Sequence, residues 1–455
     1  MQGRTNMKKR NLVFTTDSYK VSHYLQFPEN RGSYYYIESR GGAEEVLFFG
    51  LQAIIKRLLT KMVTKKEVKK AAKFWAEHGV KFNKQGWLDL VKLGYYPLEI
   101  HAVEEGKLVK TKEVQVTIES TDDRFGWLPG WVETRLLQLW YPTTVATKQF
   151  ECKKVILEYL KKTGTPEQAP FKLHSFGYRG VSSEESAGIG ASAELLTSMG
   201  TDTVAGIFEA QDYYNTDAML GFSINAAEHS TITAWGREFE RDAYENMLNQ
   251  FLKPGSIVAV VSDSYDLSNA ILKYWGGEFK DRIVQSGGTL VVRPDSGEPS
   301  EIVLRTLEQL GECFGTIINS KGYKILPSCI RVIQGDGLNG PDDIRKVLET
   351  ITNAGWSADN VAFGMGGGSL QQVNRDTYKY AMKMSAIFKA GEDDQYAWAD
   401  VFKEPSDAPW KKSKRGRFDN LNLPLVWKNG MFYRQYCFEQ LRASALAELD
   451  RVTSF

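Results

Sequence analysis

The sequence predicts an α/β protein: an α/β barrel accompanied by a second, α+β domain that contains antiparallel sheet. Three observations carry this. Between about residues 171 and 390 short apolar runs alternate with stretches of helical periodicity. Before and after that region, residues alternate apolar and polar with period two. Near the C-terminus Asn429-Gly430 stands between two short apolar segments, the signature of a tight hairpin.

The barrel strands are expected at 172–176, 203–207, 257–262, 289–293, 331–334, 361–364 and 384–389. Their apolar runs are nearly continuous, as in parallel strands covered on both faces. Helices are expected between them at 183–199, 231–250, 267–275, 301–310 and 342–352. Asp263 with Ser264, and Asn339 with Gly340-Pro341, supply helix-start chemistry. So many successive βα units favour a closed barrel over an open sheet. In the flanks, Leu98, Ile100 and Ala102, and then Val114, Val116 and Ile118, alternate with polar residues as half-buried antiparallel strands do. The expected division is residues 1–146 plus 391–455 for the α+β domain, and 147–390 for the barrel. The first ten residues are expected to fray, and the basic stretch 411–417 to be a mobile loop until an anion binds.

Bulk properties bound the function. The 455 residues suffice for two or three domains. Fifty-seven basic and 56 acidic side chains leave a net charge of +1. Neither nucleic acid nor an anionic membrane is therefore an expected partner, and any anion site must be local. Cys152, Cys313, Cys329 and Cys437 form no CxxC pair. That argues against a zinc site or a disulfide framework and fits a reducing, cytoplasmic setting. No apolar run is long enough to span a bilayer, and no apolar stretch follows Lys8, Lys9 and Arg10 to make a signal peptide.

In a barrel the chemistry sits at the C-terminal ends of the strands. Here those ends read HSFGYR (174–179), SDS (262–264), RPDSG (293–297), QGDG (334–337) and GMGGG (364–368). Gly366-Gly367-Gly368 can bring backbone N–H groups to a phosphate, or can be a plain turn. Arg293 can grip pyrophosphate through its planar fork, or can pair with Asp295. Asp295 and Asp336 can hold Mg²⁺, or can serve as turn and cap residues. His229 can be a structural histidine, or can accept a phosphoryl group if a carboxylate orients its ring, from Asp263 or from the neighbouring Glu228. Phe176 and Tyr19, by themselves, would read as core.

Several ordered blocks then resemble the nicotinamide phosphoribosyltransferase family. They are TDSYKVSH (16–23), HSFGYRGVSSEESAGIGASAELLTSMGTDTVAG (174–206), AAEHSTITAWG (226–236), VSDSYD (261–266), VRPDSG (292–297) and RVIQGDG (331–337). The resemblance spans nearly the whole chain. It implies the irregular α/β barrel of the type II phosphoribosyltransferases, a homodimer with its active sites at the subunit interface, and condensation of nicotinamide with 5-phosphoribosyl-1-pyrophosphate (PRPP). It further implies that Phe176 and, from the partner subunit, Tyr19 sandwich the nicotinamide ring. Arg179 and Asp202 flank the carboxamide, and Ser223 belongs to the same substrate site. Arg293 and Asp295 line the ribose–pyrophosphate region, and Gly335, Asp336, Gly366 and Gly367 bind the ribose and its 5′-phosphate. Arg40, Arg375, Lys383 and Lys403 contact phosphates. His229, with Asp263 beside it, is phosphorylated by ATP to drive the reaction. Mg²⁺ is expected with pyrophosphate, its protein ligands open apart from the candidate Asp295. Ser175 and Ala381 depart from the Asp and Ser usual in the family, and Met365 interrupts a glycine-rich run. The alternatives are nicotinate phosphoribosyltransferase and a non-catalytic relative. An aldolase-like barrel would want a Schiff-base lysine at a strand end, and none of the five strand ends presents an obvious one.

Overall fold

Continuous apolar runs become the parallel strands of one sheet, and alternating runs become the antiparallel strands of another. The computed structural model describes residues 10–391, 395–407 and 412–454, so the N-terminal tail and the first residue of the basic loop lie outside the described residues. Contacts divide the chain into two units. One takes residues up to Thr144, Tyr213–Asn215 and Asn374–Leu441; the other takes Val145–Asp212, Thr216–Val373 and the residues from Arg442 on.

The barrel unit holds seven strands, every adjacent pair parallel. In spatial order they are Gly200–Thr201, Leu173–Ser175, Val361–Met365, Ile330–Gln334, Thr289–Arg293, Ile257–Val261 and Asn225–Ala226. Gly200 also forms a parallel bridge with Phe222, three residues before the last of these strands. Two backbone hydrogen bonds make that seam, Thr201 N–H to Phe222 O at 2.9 Å and Phe222 N–H to Met199 O at 2.7 Å. The sheet thereby closes into an irregular barrel. Ala259, Val291 and Ile333 point into it, with Phe176 and Ala362 packed against them. With alanine at two of these places, the interior is not filled by the large branched side chains that pack most such barrels.

Four expectations are corrected here. Residues 203–207 do not form a strand: Gly200–Thr201 does, and the helix Ala205–Tyr213 follows. Gly206 is a point of helix contact, since a Cβ there would lie 2.6 Å from Ala191 C. The helix expected at 231–250 is two helices, His229–Thr233 and Glu240–Phe251, with Gly236 between them at φ 86°. Asp263 and Ser264 start no helix; Asp266 is the cap, accepting from Asn269 N at 3.0 Å. Residues 384–389 belong to no barrel strand. They lie within Ala381–Ala390, an antiparallel strand between Asn30–Glu38 and Tyr396–Asp400. An antiparallel strand in the middle of a sheet can carry the same continuous apolar run as a parallel one, so periodicity alone cannot separate the two.

The second unit is built on a seven-stranded antiparallel sheet. Its order is Tyr396–Asp400, Ala381–Ala390, Asn30–Glu38, Val114–Ser120, Leu98–Ala102, Leu425–Lys428 and Met431–Phe432. Both chain flanks contribute, and Asn429 (φ 51°) with Gly430 (φ 89°) makes the expected hairpin turn. Trp87, Trp131, Phe125, Tyr96 and Leu128 anchor its core, each such side chain worth about 1.5–3 kcal/mol by burial. The end of the C-terminal helix Phe438–Thr453 clusters with the barrel. There Arg442 Nε donates to Leu195 O at 2.9 Å and Lys161 Nζ to Thr453 O at 2.9 Å.

Candidate active site

Phe176 follows the strand Leu173–Ser175, and its N–H bonds Met365 O on the neighbouring strand at 2.9 Å. Its ring lies across Gly364, where a Cβ would come within 1.9 Å of the ring edge. Gly335 meets the same ring, with a Cβ position 3.2 Å away. Only glycine lets the aromatic lie flat over these strand ends. The Arg293 guanidinium sits 5.5 Å from the ring centroid on the same side of the barrel mouth.

Asp202 stands one residue past the strand Gly200–Thr201. Its N–H bonds Ser175 O at 2.9 Å, and its Oδ1 accepts a hydrogen bond from the Ser223 hydroxyl. The carboxylate is thus fixed but exposed. Arg179 is exposed and pairs with Glu228 at 3.3 Å. Hydrogen bonds from Ser230 and Arg179 hold the Glu228 carboxyl below its usual range.

His229 opens its helix, and its two ring nitrogens face two carboxylates. Nε2 lies 3.0 Å from Asp263 Oδ1, and Nδ1 lies 3.8 Å from Asp295 Oδ2. The second Asp263 oxygen accepts the Asp295 N–H at 3.0 Å. Arg293 donates from Nε and from its terminal nitrogen to Asp295 Oδ1, at 3.0 and 2.8 Å. Burial works against the Asp263 carboxylate, but hydrogen bonds from Ser296, His229 and the Asp295 amide outweigh it and keep its pKa low. Of the two orienting carboxylates open to His229 from the sequence, Asp263 is the one in place. The Arg293–Asp295 ion pair, one of the two readings open for this motif, also forms.

A pocket of about 730 Å³ opens beside these groups; Asp295 and Arg293 are on its wall, whereas His229 and Asp263 are not among the residues that line it. Phe176, Arg179, Asp202, Arg293, Asp295, Gly335, Asp336, Gly366 and Gly367 are all on its wall. Behind the turn, Lys148 Nζ donates to Gly368 O at 2.6 Å. Tyr178, Glu228, Asn339 and Gln372 also line the pocket. From the sequence Glu228 was weighed only as a partner for His229 and Asn339 only as a helix start; Tyr178 adjoins Arg179, which is the signal that could have found it, and Gln372 carried none. A second chamber of about 530 Å³ shares Phe176, Asp202, Ala226 and Arg293 and runs among the small residues of the barrel interior; Ser223 is on its wall. Among the described residues no group of three or more His, Cys, Asp or Glu could cage a metal ion.

Tyr19, Arg40, Arg375, Lys383 and Lys403 lie on the other unit. Tyr19 is 61 % exposed. Adjacent strands gather the four cations: Lys383 pairs in register with Tyr36, two residues before the end of the strand that leads to Arg40. Arg40 N–H bonds Tyr378 O at 3.2 Å near Arg375, and Lys403 follows the neighbouring strand Tyr396–Asp400. Desolvation lowers the Lys383 pKa; repulsion from Arg40, Lys403 and Arg375 lowers it further against the pull of Glu133. In the basic loop, Lys414 pairs with Glu38 at 2.7 Å, and Arg417 forks onto Glu119 at 2.6 and 3.0 Å.

Residues 171–435 match the nicotinate phosphoribosyltransferase (NAPRTase) family, and residues 11–100 match the nicotinamide phosphoribosyltransferase N-terminal domain. A Xanthomonas campestris protein named nicotinamide phosphoribosyltransferase is 48% identical, covering 96% of this chain and 98% of its own. The chain belongs to the nicotinamide phosphoribosyltransferase family. A second member, from Mycoplasma pneumoniae, is 32% identical over 72% of each chain. Solved structures agree on the fold. Nicotinate-nucleotide pyrophosphorylase from Pyrococcus furiosus and human nicotinic acid phosphoribosyltransferase each superpose with a TM-score of 0.58. Their identities are 14% and 13%, and they cover 97% and 96% of this chain, and 96% and 93% of their own. The family's barrel and antiparallel sheet are both present here.

Proposed function

We propose that this enzyme transfers the phosphoribosyl group of PRPP to nicotinamide, giving nicotinamide mononucleotide and pyrophosphate, a step of NAD salvage. The observation that carries the choice of base is the Asp202 carboxylate, fixed by Ser223 and sharing a pocket wall with the Phe176 ring. A carboxamide donates an N–H to that oxygen. A nicotinate carboxylate would meet like charge, worth up to about 4 kcal/mol at 4 Å and an effective dielectric of 20, and less at an exposed site.

The pyridine nitrogen already has a free lone pair, so no general base is needed for its attack on ribose C1. Phe176 positions the ring, with Tyr19 of a second subunit on its other face, an effect of proximity and orientation. Arg293 stabilises charge gathering on the departing pyrophosphate. The Gly366–Gly368 turn, Gly335 and Asp336 take the ribose and its 5′-phosphate. Arg40, Arg375, Lys383 and Lys403 draw in the phosphates. Asp295 and Asp336 suit Mg²⁺ arriving on pyrophosphate, since that ion takes one or two carboxylates and completes its shell with phosphate oxygens and water. When bound, it offsets leaving-group charge.

With the Nε2 proton held by Asp263, the Nδ1 lone pair of His229 is the nucleophile for the γ-phosphorus of ATP. The N–P bond forms as the bond to the β–γ bridging oxygen breaks, and ADP leaves. A homodimer is supported by large apolar side chains exposed between residues 204 and 239, among them Phe208, Met219, Trp235 and Phe239. The four free cysteines suit a cytoplasmic location. Near-neutral charge gives no whole-surface pull toward nucleic acid or anionic membrane, and no described helix is long and apolar enough to cross a membrane.

The deciding experiment supplies the purified chain with PRPP, Mg²⁺ and either nicotinamide or nicotinate, with and without ATP. Nicotinamide mononucleotide should form, faster with ATP. Preferential formation of nicotinate mononucleotide would replace this reading with the acid-specific one.

A further inference from the structure

Glu194 ends the helix Glu184–Glu194 and is 2% exposed. That helix packs against Gly367–Leu370, the short helix that contains the end of the glycine turn. The Glu194 carboxyl is within reach of two buried hydroxyls, those of Ser175 and Ser369. Ser175 precedes Phe176, and its carbonyl holds the Asp202 N–H. Ser369 closes the glycine turn, its own N–H bonding Gly366 O at 3.3 Å. Glu194 lines neither cavity, yet from beneath it adjoins both the ring-binding and the phosphate-facing parts of the site.

Two atoms there are out of balance. Glu194 Oε2 and Ser369 Oγ are both buried without a well-formed hydrogen bond. The two hydroxyls compensate an ionised carboxylate in such a place only in part, burial outweighing them, whereas the neutral acid has an O–H to give. An anion in the turn above penalises the ionised form further.

We propose that Glu194 is a positioning residue that takes a proton from solvent when a phosphate ester enters the Gly366–Gly368 turn. The neutral carboxyl donates its O–H to the Ser369 hydroxyl and ties the turn to the strand end that carries Phe176. The inference rests on the functional reading above, which puts a sugar phosphate in that turn. Burial pushes the Glu194 pKa up to about 7, so the exchange falls near neutral pH. The long helix Trp140–Thr163 brings the Cys152 thiol to face Glu194. That thiol is pushed up to about 12 by burial and stays neutral. Lys148 of the same helix is committed to Gly368 O, and burial lowers its pKa. The strand and the turn present the hydroxyls of Ser175 and Ser369.

The test is calorimetric binding of ribose 5-phosphate at pH 8, where the ester is already fully ionised, in two buffers of different ionisation enthalpy. The intact chain should take up a large fraction of a proton per site, roughly half or more. Its affinity should fall between pH 7 and 9, by up to roughly tenfold per pH unit. Glu194→Gln should bind with no uptake and a flat pH profile, and Ser369→Ala should take up less than the intact chain. Nicotinamide alone should bind without uptake. Binding with no proton uptake by the intact chain overturns the proposal whether or not the Gln variant folds, as does equal uptake in both proteins. Failure of the intact chain to bind ribose 5-phosphate at all overturns the functional reading, and this inference with it.

Discussion

The two units gather charge in opposite ways. In the barrel, strand ends far apart in sequence converge, and their charges are already matched: His229 between two aspartates, Arg293 on Asp295. In the sheet unit, neighbouring strands bring like charges together: Lys383 feels Arg40, Arg375 and Lys403 at once, even with Arg40 paired to Glu38 at 2.7 Å. A matched network holds its members in one geometry with or without ligand. A crowd of cations is relieved when an anion arrives. The first arrangement suits chemistry and the second suits capture, so substitutions in the two units should have different kinetic signatures.

Arg293→Ala should give the largest effect, a loss of roughly 10²–10³-fold in kcat with little change in thermal stability. Turnover kept near the parent level would remove this residue from leaving-group stabilisation. Gly364→Ala comes next, because the added methyl collides with Phe176. A displaced ring should lower kcat/KM for nicotinamide by roughly 10²-fold, and a crystal structure with Phe176 unmoved and activity intact would contradict the assigned role of the glycine. Lys383→Ala should raise KM for PRPP roughly tenfold, with kcat nearly unchanged, and the defect should shrink as salt rises. A fall in kcat at constant KM would erase the contrast between the units. Asp202→Asn should have the smallest effect, narrowing the preference for nicotinamide over nicotinate by roughly fivefold at this exposed position. A competition assay with an unchanged product ratio would refute it.

Legibility followed the same divide. The strands Thr289–Arg293, Ile330–Gln334 and Val361–Met365 and the hairpin at Asn429-Gly430 were readable because periodicity and turn chemistry are local. The strand Ala381–Ala390 was not, because what makes it antiparallel is its partner Asn30–Glu38, some 350 residues earlier. In the site, residue types at strand ends suggested phosphate chemistry. The choice between an ion pair and a ligand grip at Arg293, and between Asp263 and Glu228 as the partner of His229, needed distances. Glu194 was invisible to sequence reasoning: a glutamate at a helix end reads as solvated until burial says otherwise.

The barrel's final seam is only a few residues long, and it runs between Gly200-Thr201 and Phe222. The next residues along each side are Asp202 and Ser223, the pair that would recognise the amide. If this pair reads the amide as proposed, ring closure of the fold and discrimination of the base hang on the same stitch. A mutation that lets it gape would then spread the pair apart and make this enzyme promiscuous before it came unfolded.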